Sequence, residues 1–244
     1  MIRIARSDLP RRTATALAKA TEKIRAAHPD ERYTNAKAAW ENSSAKKTVK
    51  AKLEEMAYGS ERCMYCGESR GTSVDHFEPV ERNPLRTFDW LNHLLACTTC
   101  NCHEKGKQFP VDDAGNPLLI DPTAEDPFDH LLLTLSLGIY RHLTPKGEAT
   151  IAVCGLNRPG LTRGRMQARS VVALALREWD RARERDSADE MLGQVQVVRE
   201  QPMADVCQSM LRQAFSPGAD LVFSDSPDLL ALLRREDLRQ ALLS

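Results

Sequence analysis

Residues 63–66 read C-M-Y-C, residues 74–79 read V-D-H-F-E-P, and residues 90–106 read W-L-N-H-L-L-A-C-T-T-C-N-C-H-E-K-G. Two Cys-x-x-C pairs therefore bracket a short polar segment. Pairs at this spacing each supply two thiolate ligands from a tight turn, as tetrahedral zinc sites require. We predict one structural Zn²⁺ held by four cysteines: Cys63, Cys66, Cys97 and Cys100.

Redox chemistry is the main alternative for paired cysteines. A thioredoxin-like site needs one pair after a strand in a β-α-β unit, whereas here two pairs close one short segment. The chain has seven cysteines, and this odd, clustered set favours metal binding in a reducing cytosol over disulfides. Cys102 is spare beside a full tetrahedral set, and Cys154 and Cys207 are predicted to be buried apolar residues.

Composition indicates a soluble, helix-rich protein. The 244 residues are enough for one or two domains with a real core, and 28% of them are charged while 5% are aromatic. The first residues lack the apolar core of a signal peptide, and no apolar run approaches the ~20 residues that span a bilayer. We therefore expect a cytoplasmic protein.

Charge is unevenly distributed although the net charge is zero, so there is no global basic signature of nucleic-acid binding. Residues 1–62 hold 14 Lys and Arg against 8 Asp and Glu, and residues 158–177 hold five arginines without an acid. Such clusters are either solvated helix faces or phosphate contacts. Both interpretations stay open from sequence.

Polar residues between and after the cysteine pairs are those that phosphodiester hydrolysis needs. His76 is a candidate general base, because an unperturbed imidazole is mostly neutral at cytosolic pH. Asp75 and Asn101 offer a carboxylate and an amide oxygen, ligands suited to Mg²⁺ or Mn²⁺. His93 and His103 lack such support and are not assigned a role.

This pattern, D-H…N…C-x-x-C-N-x-x-x-K, resembles the HNH endonuclease family in its variant that ends on Asn. The resemblance implies a ββα-metal fold stapled by zinc knuckles, with His76 as base and Asp75 and Asn101 as ligands of the catalytic metal. It further implies that Asn92 ties down the loop between the strands. Lys105 matches a lysine that lies near the phosphates of the substrate backbone.

The likeness extends through P-L-L-I-D-P, D-P-F-D-H-L and T-I-A-V-C-G-L-N-R, within residues 117–158. In these stretches the chain resembles PtuB, the HNH subunit of Septu-type anti-phage systems and of related retron-associated effectors. The resemblance implies a nucleic-acid substrate, with DNA favoured over RNA, and a PtuA-like ATPase partner of the ABC/SMC type. The chain carries no G-x-x-x-x-G-K-[ST] motif, so ATP dependence would come from that partner.

The predicted fold is α+β and mostly helical. We expect an N-terminal helical region over residues 1–57, an HNH core over 58–112, and a C-terminal region over 113–244. Residues 135–153 are predicted as two β segments around a T-P-K-G turn, with helices after them. The leucine-rich helix predicted over 227–243 is a candidate partner surface, because its leucines cover more than one face.

Two other functions remain open. One is a stand-alone restriction-type or homing-type HNH enzyme, which would be expected to carry an added recognition domain. The other is a zinc-stapled adaptor that binds nucleic acid or protein without catalysis. Retention of the Asp-His pair and of Asn101 favours an active nuclease over the adaptor.

Overall fold

A computed structural model describes residues 1–243, and three helices precede the cysteine-rich segment. They are α1 (Arg11–Ala26), α2 (Arg32–Glu41) and α3 (Ala45–Met56). The first buries Leu17 and Ile24, the second Ala36 and Trp40, and the third Val49 and Leu53. All three lie within the N-terminal region that was predicted to be helical.

The central element is an antiparallel hairpin of β1 (Ser73–His76) and β2 (His93–Ala96), in which His76 pairs with His93. A helical segment of π type, Thr99–Lys105, follows and ends at Gly106, whose φ of +49° suits a residue without a Cβ. The two strands thus lie between the two cysteine pairs. The helical segment follows them, carries Cys100 and ends at Lys105.

A second hairpin lies further along the chain, but not where it was predicted. Strands β3 (Leu131–Thr134) and β4 (Ile139–His142) pair around residues 135–138, and the T-P-K-G stretch instead begins helix α4 (Pro145–Val153). The Thr144 hydroxyl accepts a hydrogen bond from the Gly147 amide at 3.2 Å, and Pro145 occupies the first helical position. Residues 144–147 are therefore a helix cap and not a hairpin turn.

Six helices complete the chain: α5 (Pro159–Glu184), α6 (Ala188–Glu200), α7 (Ala204–Gln213), α8 (Ala219–Val222), α9 (Pro227–Leu233) and α10 (Glu236–Leu243). The predicted C-terminal helix is thus two helices. Five of the seven leucines over residues 227–243 are buried within the chain, so the predicted partner surface is wrong for these five: Leu229, Leu230, Leu232, Leu233 and Leu238. Within residues 1–243, no helix combines the length and apolarity that a membrane crossing needs.

Most arginines of the cluster over residues 158–177 form hydrogen bonds or ion pairs with other residues of the protein. Arg165 is fully buried, and its Nε donates to Asp205 at 3.1 Å. Two others form ion pairs, Arg169 with Asp225 and Arg177 with Asp228. Arg158, just before the helix, donates to the carbonyl oxygens of Cys154 and Gly155. Four of the five arginines therefore have structural partners.

Candidate functional site

The four predicted zinc ligands lie together. Their Sγ atoms are all within 4.8 Å of one another, and the Cys66 and Cys97 sulfur atoms are 4.0 Å apart. All four residues are buried. A tetrahedral Zn²⁺ with Zn–S bonds of about 2.3 Å places its sulfur atoms about 3.8 Å apart. The set fits one zinc ion after a small inward movement.

Local backbone geometry forms this cluster. The Gly67 amide donates to the Cys63 carbonyl at 2.9 Å, closing the first knuckle, and Gly67 has a φ of +67°. The Met64 amide donates to the Leu95 carbonyl at 2.9 Å, which joins the knuckle to β2. A guanidinium nitrogen of Arg158 lies 3.5 Å from the Cys100 sulfur. This cation suits a site whose thiolates carry negative charge.

His76, the candidate base, lies at the end of β1 and is partly buried. Its Nε2 is 3.0 Å from the carbonyl oxygen of Thr87, and its ring meets that of Trp40 edge-on at 4.9 Å. Burial lowers the pKa of His76 to about 4. The imidazole is therefore neutral near pH 7, which is the form that accepts a proton.

His93 shares this environment, although no residue pattern in the sequence selected it. It is fully buried, its Nε2 lies 2.9 Å from the same Thr87 oxygen, and its ring stacks on Trp40 at 4.8 Å. Burial lowers the pKa of His93 to about 3. The signal that could have found it is strand register, since His93 pairs with His76 across the hairpin.

Asn92 is fully buried and bonds to the loop between the strands. Its Oδ1 accepts from the Glu78 amide at 2.7 Å, while its Nδ2 donates to the carbonyl oxygens of Glu78 at 3.0 Å and Arg86 at 3.1 Å. These three bonds join Glu78 and Arg86, within the loop, to the residue that directly precedes β2. They thereby fix the backbone near Thr87, the acceptor for His76.

Asp75 points away from solvent and is enclosed by two partners. The Tyr65 hydroxyl donates to its Oδ2 at 2.5 Å, and the Lys105 ammonium lies 3.2 Å from its carboxylate. Burial raises the pKa of Asp75, while the nearby Lys105 charge opposes that shift. Lys105 also donates to the His76 carbonyl at 2.9 Å and is itself fully buried. Lys105 is therefore not exposed to contact phosphates.

Asn101 lies on the same side of β1 as Asp75. Its Nδ2 donates to the Ser73 hydroxyl at 3.0 Å, and residues two apart on a strand share a face. The Asn101 amide oxygen remains available as a ligand, but the Asp75 carboxylate is occupied by Tyr65 and Lys105. As arranged, these residues do not fit a Mg²⁺ or Mn²⁺ ion, which needs open oxygen ligands.

One cation lies beside the candidate base on the side of α2 and α3. The Lys46 ammonium is 5.9 Å from the Trp40 ring centroid, and Lys46 is exposed. Its charge contributes to the lowered pKa of His76, after the larger effect of burial. No ion pair of Lys46 is present within residues 1–243. The basic N-terminal region thus reaches the surroundings of His76.

Comparisons with known proteins found two similar chains. The Septu protein PtuB of Bacillus mycoides (strain KBAB4) is 26% identical over 158 residues, which cover 52% of this chain and 52% of PtuB. Protein ea31 of Escherichia phage lambda is 37% identical over 54 residues, which cover 22% of this chain and 18% of ea31. This chain therefore spans about half the length of PtuB and less of ea31. No family model matches the chain, and no solved structure matches it.

Proposed function

We propose that this protein is the nuclease component of an anti-phage defence system and hydrolyses phosphodiester bonds in nucleic acid. Similarity to PtuB over half the chain supports the defence role. The observation that carries the catalytic part is the geometry of His76. Its Nε2 bonds to a carbonyl oxygen, which only accepts, so the proton lies on Nε2 and the lone pair on Nδ1.

In the proposed reaction, the Nδ1 atom of His76 takes a proton from a water molecule. The resulting hydroxide attacks phosphorus in line, the bond from phosphorus to the leaving 3′ oxygen breaks, and that oxygen takes a proton from solvent. The imidazolium then returns its proton to solvent. General-base catalysis of this kind contributes roughly 10²–10⁴ in rate.

The resemblance to HNH enzymes also implies a catalytic Mg²⁺ or Mn²⁺ held by Asp75 and Asn101. Such an ion would supply charge stabilisation for the phosphate. We assign no step to it, because both Asp75 oxygen atoms face protein partners. Metal dependence is instead one of the outcomes of the cleavage test.

Zinc has a separate role in this proposal. The four thiols are buried, and the hydrogen bond between Met64 and Leu95 joins the first knuckle to β2. A tetrahedral Cys₄ site has no open coordination position for substrate. Zinc would therefore hold the two knuckles and the hairpin together and take no part in the chemistry. Its loss is expected to abolish activity through unfolding.

The proposed partner is a PtuA-like ATPase of the ABC/SMC type, implied by the resemblance to PtuB. A non-catalytic adaptor is the second candidate function, and the enclosed Asp75 carboxylate is the observation that favours it. An adaptor would bind nucleic acid or the ATPase with the same zinc-stapled hairpin. It would not depend on the His76 imidazole.

A cleavage assay separates the two functions. Plasmid DNA and bulk RNA are incubated with wild type, His76→Ala and His28→Ala, in Mg²⁺, in Mn²⁺ and in chelator, with and without a PtuA-like ATPase. His28 is a matched control because its side chain is 69% exposed. The proposal expects cleavage by wild type and His28→Ala only. A folded, zinc-loaded wild type that cleaves nothing under any condition contradicts it and favours the adaptor.

A further inference from the structure

Two imidazoles meet one carbonyl oxygen in this protein. The Nε2 atoms of His76 and His93 lie 3.0 and 2.9 Å from the Thr87 oxygen, and the two ring centroids are 5.0 Å apart. A carbonyl oxygen has two lone pairs and donates nothing. Both histidines therefore carry the proton on Nε2 and leave the lone pair on Nδ1. The Thr87 oxygen thus sets the tautomer of both rings.

The ring of His93 is held firmly in this position. It stacks on Trp40, and it is fully buried at the start of β2. Its own carbonyl oxygen accepts from Arg6 at 3.0 Å, and the same guanidinium donates to the Trp90 carbonyl at 2.8 Å. The backbone that carries His93 is thus clamped from the N-terminal segment. The imidazole has little freedom to turn away from Thr87.

The other nitrogen of His93 makes this residue unusual. Within residues 1–243, its Nδ1 is buried without a hydrogen-bond partner. A buried polar atom without a partner is destabilising, so this Nδ1 atom gives no reason for a histidine rather than an apolar ring at this position. The Nδ1 of His76 is not enclosed in this way. The feature that distinguishes His93 from a core phenylalanine is therefore its single Nε2–H donor.

We propose that His93 is a positioning residue for His76. The Nε2–H group of His93 holds the Thr87 carbonyl oxygen in the position where it also accepts a hydrogen bond from the Nε2–H group of His76. This second bond keeps the proton of His76 on Nε2, so the Nδ1 lone pair of His76 stays free to accept a proton. The inference rests on the proposed nuclease function and assigns it a residue that the D-H…N…N pattern omits. His93 itself does not touch substrate.

Removing the donor while keeping the shape tests this role. His93→Phe retains a ring that can stack on Trp40 but has no N–H group, so the Thr87 carbonyl loses one of its two donors. We expect the His76 tautomer to become mixed. Because misorienting a catalytic group costs on the order of 10- to 100-fold in rate, kcat should fall by that factor with little change in KM. His93→Gln, whose amide can donate to Thr87, should restore part of kcat.

The first readout is ¹⁵N NMR of the histidine ring nitrogens in the zinc-loaded full chain at pH 7. Wild type should show both His76 and His93 as neutral Nε2–H tautomers, and His93→Phe should shift only the His76 signals toward a mixture. His28→Phe is the matched control and should change neither. A His93 that is charged or carries its proton on Nδ1 in wild type overturns the proposal, even if the variant fails to fold. Unchanged His76 signals in a folded His93→Phe protein also overturn it.

This design separates the inference from the nuclease proposal. The NMR signature needs no activity, so a tautomer change in a protein that cleaves nothing supports the positioning of His76 and contradicts the nuclease function. If His93 had a purely structural role, His93→Phe would change stability without moving the His76 signals. Cleavage with a normal kcat in a folded His93→Phe protein would contradict the positioning role while leaving the nuclease intact.

Discussion

The ammonium group of Lys105 lies 3.2 Å from the carboxylate of Asp75, and both side chains are buried. The pair joins the helical segment Thr99–Lys105 to strand β1, with the Tyr65 hydroxyl as a third member. Breaking one side of a buried pair leaves an uncompensated charge. The relationship therefore indicates that Lys105 supports the hairpin from within.

Lys105→Met should lower the free energy of unfolding by about 3–5 kcal/mol, because Asp75 is left buried and unpaired. Lys105→Met combined with Asp75→Asn should cost less than the single change, since the remaining amide is neutral. Denaturant titration followed by circular dichroism measures both. Lys107→Met, at an exposed lysine nearby, is the control. If Lys105→Met lowered the free energy of unfolding by no more than the control does, the ion pair would not stabilise the fold.

Cys100→Ser should lose zinc and most of the folded structure of the hairpin module. A structural zinc site in a small module contributes about 10–16 kcal/mol of apparent binding free energy, which is also folding free energy. Metal analysis together with thermal unfolding checks this. Cys102→Ser is the matched control, because Cys102 is exposed and two residues away. Retention of one zinc and an unchanged fold by Cys100→Ser would refute the four-cysteine site.

Stability should fall in mild acid because His76 and His93 are buried in the neutral form. Their pKa values are lowered to about 4 and about 3, chiefly by burial, while unfolded histidine titrates near 6.5. The unfolded state therefore binds more protons below pH 6.5, and stability declines from there toward pH 4. Each histidine contributes a slope of up to roughly 1.4 kcal/mol per pH unit.

Denaturant titrations at several pH values between 7.5 and 5 measure this decline, with zinc content checked at each point. In His93→Phe, the free energy of unfolding should depend less steeply on pH, because the contribution of His93 is gone. In His28→Phe the pH dependence should stay the same, because His28 is exposed. A stability that does not change between pH 7 and pH 5 in the zinc-loaded protein would contradict the buried, neutral state of both rings.

Lys46→Gln should weaken nucleic-acid binding if the basic N-terminal region faces the substrate near His76. Loss of one phosphate contact reduces the slope of log K against log salt by about 0.9 for duplex DNA. Fluorescence anisotropy with the His76→Ala protein measures binding without cleavage. Lys52→Gln is the control, because Lys52 already pairs with Glu55. Equal salt slopes for the two variants would place the substrate elsewhere.

Much of the fold and part of the site could be predicted from sequence, for local reasons. The zinc cluster follows from Cys-x-x-C spacing, which places four thiols within 4.8 Å of one another. The second hairpin was misplaced because Thr144 caps a helix, and this side-chain bond outweighs the turn character of T-P-K-G. The predicted partner surface failed because burial on several faces arises from tertiary packing, as at Leu229.

The surroundings of the candidate base could not be predicted in the same way. His93 reaches Thr87 only because strand register sets it opposite His76. Lys105 is buried only because the helical segment packs over the face of β1 that carries Asp75. Register and packing depend on residues distant in sequence, so a pattern of residue types does not contain them. The assignments to His76, Asp75, Asn92 and Asn101 therefore remain predictions for experiment, whereas the buried Lys105 is not placed to contact phosphates.

The role of His76 as general base is best tested by the single-turnover rate of nucleic-acid cleavage by zinc-loaded wild type and His76→Ala. Removal of the imidazole should lower the rate by about 10²–10⁴ while substrate affinity and zinc content stay unchanged. His28→Ala should cleave at the wild-type rate. Cleavage by His76→Ala at the wild-type rate would contradict His76 as the base and remove the mechanism built on it.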